Sequence, residues 1–221
     1  MGSPVIASLA DLRPGDIGFG PISGSAGLLV SAGQLMLGEG FRVGRLSIRH
    51  VFVVSGNLAF DRPALWRGEG PTVVEAMPRG AREIEIDDDR WTSQYAYVRL
   101  PEDYPGQADD AAAIARAMIG TPYSFASYAA LAAWRFGWKT PRLEKWIDRR
   151  TDLAIQREGR TLGYPPREAI CSVLADQAWS LTGKKIMEGV AHQCVTPGAL
   201  AGRLLEMDGA RWIWPGRVLA S

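Results

Sequence analysis

Strand-like apolar runs dominate the first part of this chain and helical spacing the second, and that division constrains the fold more than any other feature. Apart from one helically spaced stretch over 22–37, the apolar residues up to about residue 100 come in short runs closed by glycine and proline, whereas from residue 107 onward they recur at helical spacing. Strands followed by helices, without alternation, point to an α+β domain in which an antiparallel sheet packs against helices. The strand-rich part spans 12–100 and the helix-rich part 107–206. With no internal repeat or low-complexity linker between them, residues 1–221 read as a single domain.

Arg13-Pro14-Gly15-Asp16 is a turn signal, followed by the apolar run Ile17-Gly18-Phe19. Residues 48–54 are β-branched and aromatic and end at Ser55-Gly56-Asn57, so a buried strand is expected there, with further strands at 71–76, 81–86 and 95–100. A long loop, 58–70, separates the first two of these. Residues 22–37 carry the spacing of a short helix, and their glycines lack the Gly-Lys-Ser/Thr ending that a phosphate cradle requires. In the second half, Ala111, Ile114, Ala115 and Met118 form one helical face that Gly120-Thr121-Pro122 ends. Residues 123–138 are apolar nearly all round and lack the basic face of a membrane-surface helix, so they are expected in the core. After a charged, arginine-rich excursion over 139–167, an apolar stripe over 170–179 opens a helix at Cys171, and the Thr196-Pro197-Gly198 turn leads into a last helix.

The charges, 25 Lys+Arg against 24 Asp+Glu, sum to +1 with no long run of one sign, which leaves no electrostatic footprint for nucleic acid or an anionic membrane. No apolar stretch reaches the roughly 18 residues of a transmembrane segment. The first residues do not read as a signal peptide, so the expected location is the cytoplasm, or a phage particle or virion, or release without a classical signal. Two cysteines and two histidines are too few for a disulfide scaffold or a closed structural zinc site.

That scarcity narrows the chemistry. Cys171 stands at a predicted helix start, where unpaired N–H groups and the positive end of the macrodipole favour a thiolate and could receive an oxyanion. By itself a helical cysteine is more often a small buried hydrophobe. His50, the lone polar group opening an apolar strand, is the candidate base, and Glu75, which interrupts another apolar strand, is the candidate group to orient it. The bland alternative places both on edge strands facing solvent. His192 and Cys194, two apart, would share a strand face, but no second ligand pair lies nearby to complete a metal site, and a Cys171–Cys194 disulfide would need an oxidising compartment that nothing in the sequence indicates.

The segment 115–123, ending Ile119-Gly120-Thr121-Pro122-Tyr123, and the later Cys171-Ser172 resemble the A…G-T-P-Y…C-S elements of NlpC-type cysteine peptidases, a papain-like family. Pro14-Gly15-Asp16-Ile17, His50-Val51 and Val74-Glu75-Ala76 are similar to that family's P-G-D-L, H-V-G-I and strand H-A elements. The histidine half comes first here, as in the circularly permuted branch that includes YiiX-like and lecithin retinol acyltransferase-like proteins. The resemblance covers most of 12–206 and implies a circularly permuted papain-like fold. It implies Cys171 as nucleophile, His50 as general base and Glu75 as the orienting residue. Tyr123 falls where the family has a tyrosine beside the substrate cleft, and Ser172, the second half of the C-S pair, is assigned with it to substrate binding.

This chain has Ile170 and Val173 where peptidoglycan-cleaving members commonly have Asp before the cysteine and Gly after the C-S pair. The expected function is a cysteine hydrolase working through a thioester to cleave an amide, first of all as a peptidase or amidase on cell-wall peptide. The alternatives are an acyltransferase or esterase on lipid-like acyl substrates, or a non-catalytic papain-like module. No metal or organic cofactor is expected, and the partner is a peptide or acyl substrate.

Overall fold

The structure, a computed structural model, describes residues 9–22, 48–57, 70–103, 106–123, 140–142, 169–190 and 195–213. The expected helix over 22–37, the loop over 58–70, the apolar stretch over 123–138, the excursion over 139–167, and His192 with Cys194 lie wholly or almost wholly outside the described residues.

One antiparallel sheet organises the domain. Its strands are β1 (Ile17–Gly20), β2 (His50–Asn57), β3 (Pro71–Met77), β4 (Gly80–Glu85), β5 (Ala96–Arg99) and β6 (Arg211–Ile213), in the spatial order β4-β3-β2-β1-β5-β6. Against it stand α1 (Gln107–Ala117), α2 (Cys171–Ser180) and α3 (Pro197–Glu206), so the chain is α+β. Residues paired across antiparallel strands share a face, and the register therefore separates two cores. Ile17, Phe19, Val51, Val53, Val74 and Ala76 meet the helices through Ala111, Ala115, Leu174, Ala178, Trp179 and Leu200. Phe52, Val54, Val73 and Tyr97 meet Leu12, Ile86 and Ile213 on the other face. Burial on both faces is why β2 and β3 read as almost unbroken apolar runs instead of alternating.

The expected turn at 13–16 becomes a junction. Asp16 accepts from the Arg13 amide at 2.9 Å and from Arg99 through Nε at 2.8 Å and Nη2 at 2.7 Å. Gly15 takes φ 84°, and a side chain there would meet the Ala108 backbone on α1. The Gly15 amide donates to Val54 O at 2.8 Å, and its carbonyl accepts from Trp179 Nε1 at 3.1 Å, so one turn ties β2 to α2.

The helices start and stop for local reasons. Asp109 and Asp110 in the first turn of α1 and Arg116 in its last complement the macrodipole, and Gly120 at φ 88° lies just beyond its end. Thr196, expected in a turn, is the N-cap of α3: its Oγ1 accepts from the Ala199 amide at 3.1 Å, with Pro197 at the first helical position. β6 was not anticipated from the sequence; its Trp212 stacks on Phe19 with ring centroids 5.6 Å apart.

Candidate active site

His50 and Glu75 sit on the interior strands β2 and β3, not on edges, and are 4% and 0% exposed. In the β2–β3 register Phe52 lies opposite Glu75, so His50, two residues before Phe52, is on the same face as the carboxylate. Nε2 of His50 stands 2.7 Å from Glu75 Oε2. An ionised carboxylate only accepts, so Nε2 carries the proton and donates.

A fully buried carboxylate is costly unless it is paired, and Glu75 is paired on every side. Arg82, directly opposite it on β4, donates to Oε1 through Nε at 2.9 Å and Nη2 at 2.8 Å. Arg90, in the short 3-10 turn Asp88–Arg90, donates through Nη1 to Oε2 at 2.9 Å and through Nη2 to Oε1 at 3.3 Å. Burial alone would raise the carboxyl's pKa; the hydrogen bonds and charges of His50 and then Arg90 outweigh it and hold Glu75 well below the usual carboxylate range. Phe52 floors the cluster, with its ring 5.9 Å from the His50 ring and 5.6 Å from the Arg90 guanidinium carbon. It can lie there because β1 has glycine beneath it: a Cβ on Gly18 would enter the Phe52 ring.

Cys171 is the first residue of α2 and is buried. The expectation of a helix opening at this cysteine is met, and the reason lies in the residues before it. Gly120 and Thr121 exchange backbone bonds with Ala81 at 2.8 Å each, which fastens the G-T-P-Y segment to the start of β4. Pro122 O then accepts from the Ala169 amide at 2.9 Å, and Tyr123 forms a parallel bridge with Ala169. The helix thus begins two residues after a point anchored to the sheet, with Ile170 extended at φ −101°, ψ 164°. Ile170 gives no side-chain cap, and the backbone bond from Leu174 N to Ile170 O at 2.9 Å opens the ladder, so the amides of Cys171, Ser172 and Val173 have no intrahelical acceptor.

The structure brings Cys171 and His50 together. Burial alone would lower the imidazole's pKa; the hydrogen bonding and charge of Cys171, and then of Glu75, reverse this and raise it from 6.5 to about 9. Nε2 is taken by Glu75, so the sulfur acts at the Nδ1 side. Nδ1 itself makes no hydrogen bond among the described residues.

The two other expected site residues are positioned differently from each other. Tyr123 is half-buried and packs on the core cluster that contains Cys171. Ser172 is fully buried, and its hydroxyl donates to Val195 O at 2.6 Å, so its side chain fixes the segment leading into α3 while its amide stays at the helix start. Sequence reasoning missed Arg82, Arg90 and Phe52. Arg82 could have been found by counting back from the Pro78-Arg79 turn, which sets 75 opposite 82; Arg90, in an acidic stretch, carried no such signal. Among the described residues no group of three or more His, Cys, Asp or Glu side chains converges as a metal site would require, and no helix is long and apolar enough to cross a membrane.

No protein-family model matches the chain, and no curated protein matches it significantly.

Proposed function

We propose that this chain is a cysteine hydrolase with the triad Cys171, His50 and Glu75, built on a circularly permuted papain-like fold. The observation that carries the reading is a buried imidazole flanked by a thiol at a helix start and by a buried carboxylate kept ionised. With its pKa raised to about 9, His50 holds the shared proton as an imidazolium at neutral pH, and Cys171 attacks an amide carbonyl as the thiolate of that pair. The free amides at the start of α2 receive the oxyanion. His50 then protonates the leaving amine, and water resolves the thioester. Glu75 fixes the tautomer, with its proton on Nε2, and does no bond-making itself.

The substrate class proposed first is cell-wall peptide. A second reading, an acyltransferase or esterase on lipid-like acyl groups, is favoured by one observation: the residues at 170 and 173 are buried hydrocarbons, Ile170 and Val173, so neither offers a carboxylate to a substrate amine. Haloacetamide labelling with peptide mapping tests the nucleophile. Cys171 should be the residue alkylated near neutral pH, and His50→Ala should slow that alkylation sharply. Peptide release from peptidoglycan, compared with turnover of acyl esters, separates the two substrate classes. An unreactive Cys171 with no turnover on either would leave a non-catalytic papain-like module.

A further inference from the structure

Glu75 Oε2 is shared: His50 Nε2 reaches it at 2.7 Å and Arg90 Nη1 at 2.9 Å. Two cationic donors converging on one oxygen compete for its charge and repel each other, and here both are screened from water, with side chains 5% and 16% exposed. Arg82, by contrast, uses only Oε1 and is 52% exposed, so its charge is largely dissipated in solvent while its fork still holds the carboxylate in place. Arg90 is itself fixed. Its amide donates to Asp87 Oδ1 at 3.1 Å, its carbonyl accepts from Tyr97 Oη at 2.8 Å, and its guanidinium lies over Phe52.

From this sharing we propose that Arg90 is a positioning residue of the site: by taking part of Glu75 Oε2 it limits how tightly His50 holds its proton. The inference rests on the triad reading for its functional meaning, although the geometry it uses does not. A buried imidazole beside a carboxylate opposed only by the half-exposed Arg82 would hold its proton too firmly to pass it to a leaving group, and a general acid works best when its proton affinity lies near the working pH. Among the described residues the charged and titratable groups that meet His50 or its carboxylate are Cys171 on α2, Glu75 on β3, Arg82 on β4 and Arg90 in the turn, with Arg49 next to His50 in the chain. Tyr95, before β5, and Asp87 and Asp89 flank Arg90. Arg82 and Arg90 are permanent cations that both bond Glu75, and of the two only Arg90 meets the oxygen that His50 uses.

The test is a proton-NMR titration of the imidazole, which needs no substrate. The chain has two histidines, so a His192→Gln background leaves His50 as the only one. Arg90→Met should raise the His50 midpoint by about one pH unit, since Arg82 keeps the carboxylate seated. Arg90→Lys, which restores the charge, should bring the midpoint back toward wild type. Should Arg90→Met fail to fold, Arg90→Gln, whose amide can still donate to Oε2, should raise the midpoint in the same direction. A midpoint that stays put or falls in the neutral variant overturns the proposal. So does a Lys variant that behaves like the neutral one. Absence of turnover with a shifted midpoint would count against the hydrolase reading and leave the role of Arg90 standing.

Discussion

Replacing Glu75 by Gln keeps the shape of the side chain and removes one charge, so its effect is electrostatic and involves no cavity. The lift of His50 from 6.5 to about 9, at about 1.4 kcal/mol per pH unit, amounts to about 3 kcal/mol favouring the imidazolium in the folded protein. Cys171 and then Glu75 produce that lift, so part of it goes with the carboxylate. Its loss also strands Arg90, whose buried guanidinium no longer faces an anion, and breaking a buried pair from one side costs about 3–5 kcal/mol. Arg82 is half in solvent and adds little. Glu75→Gln should therefore destabilise the domain by at least about 3–5 kcal/mol at pH 7 in urea unfolding. The pH dependence has a definite sign. A group whose folded value is raised lends its full stability below 6.5 and loses it as pH passes through about 9, so the gap between wild type and variant should narrow from pH 7 to pH 10. On the acid side Glu75, with its value depressed, lends stability above about 4.5 that fades as pH falls further, so the gap narrows there too. A gap below about 1 kcal/mol at pH 7, or one unchanged between pH 7 and 10, would refute the reasoning.

Cys171→Ala should abolish turnover and the haloacetamide label mapped to residue 171 in a chain that still unfolds cooperatively, and Glu75→Gln should lower kcat less than either Cys171→Ala or His50→Ala, measured on the same substrate. Gly18→Ala drives a methyl into the Phe52 ring and should destabilise by about 1–3 kcal/mol in thermal melts, with slower Cys171 alkylation because Phe52 supports His50. A Gly18→Ala variant as stable as wild type would mean that Phe52 is free to move. Ser172→Ala leaves the Val195 carbonyl buried without its donor and should cost about 1–3 kcal/mol in urea unfolding, with Cys171 still alkylated; loss of alkylation instead would make the hydroxyl part of the chemistry.

The polar interruptions in apolar runs were the most legible part of the site. His50 and Glu75 stood out because a buried strand tolerates such residues only with partners, and the structure gives both of them partners on interior strands. The start of α2 was legible from the stripe that opens at Cys171. What the sequence hid was set by tertiary register. Arg82 belongs to the site only because β4 folds back on β3, and Arg90 only because a three-residue turn presents it to Oε2. The three residues of β6 are too short a run to show a period, and they pair because β5 offers an edge. The two-sided burial of the sheet was half visible: continuous apolar strands announced it, but the second core depends on Leu12, Ile86 and Ile213, which are scattered along the chain.

The order in which the site's members occur along the chain has a consequence for its synthesis. His50 and Glu75 are neighbours on adjacent strands and are complete once β3 has been made, while Cys171 arrives 96 residues after Glu75 (171 − 75). On the proposed triad, a chain stopped between residues 75 and 171 holds the base and its orienting carboxylate with nothing for them to activate. The proposed nucleophile is thus made last, and on that reading a nascent chain exposes no activated Cys171 until α2 can dock on the sheet already waiting for it.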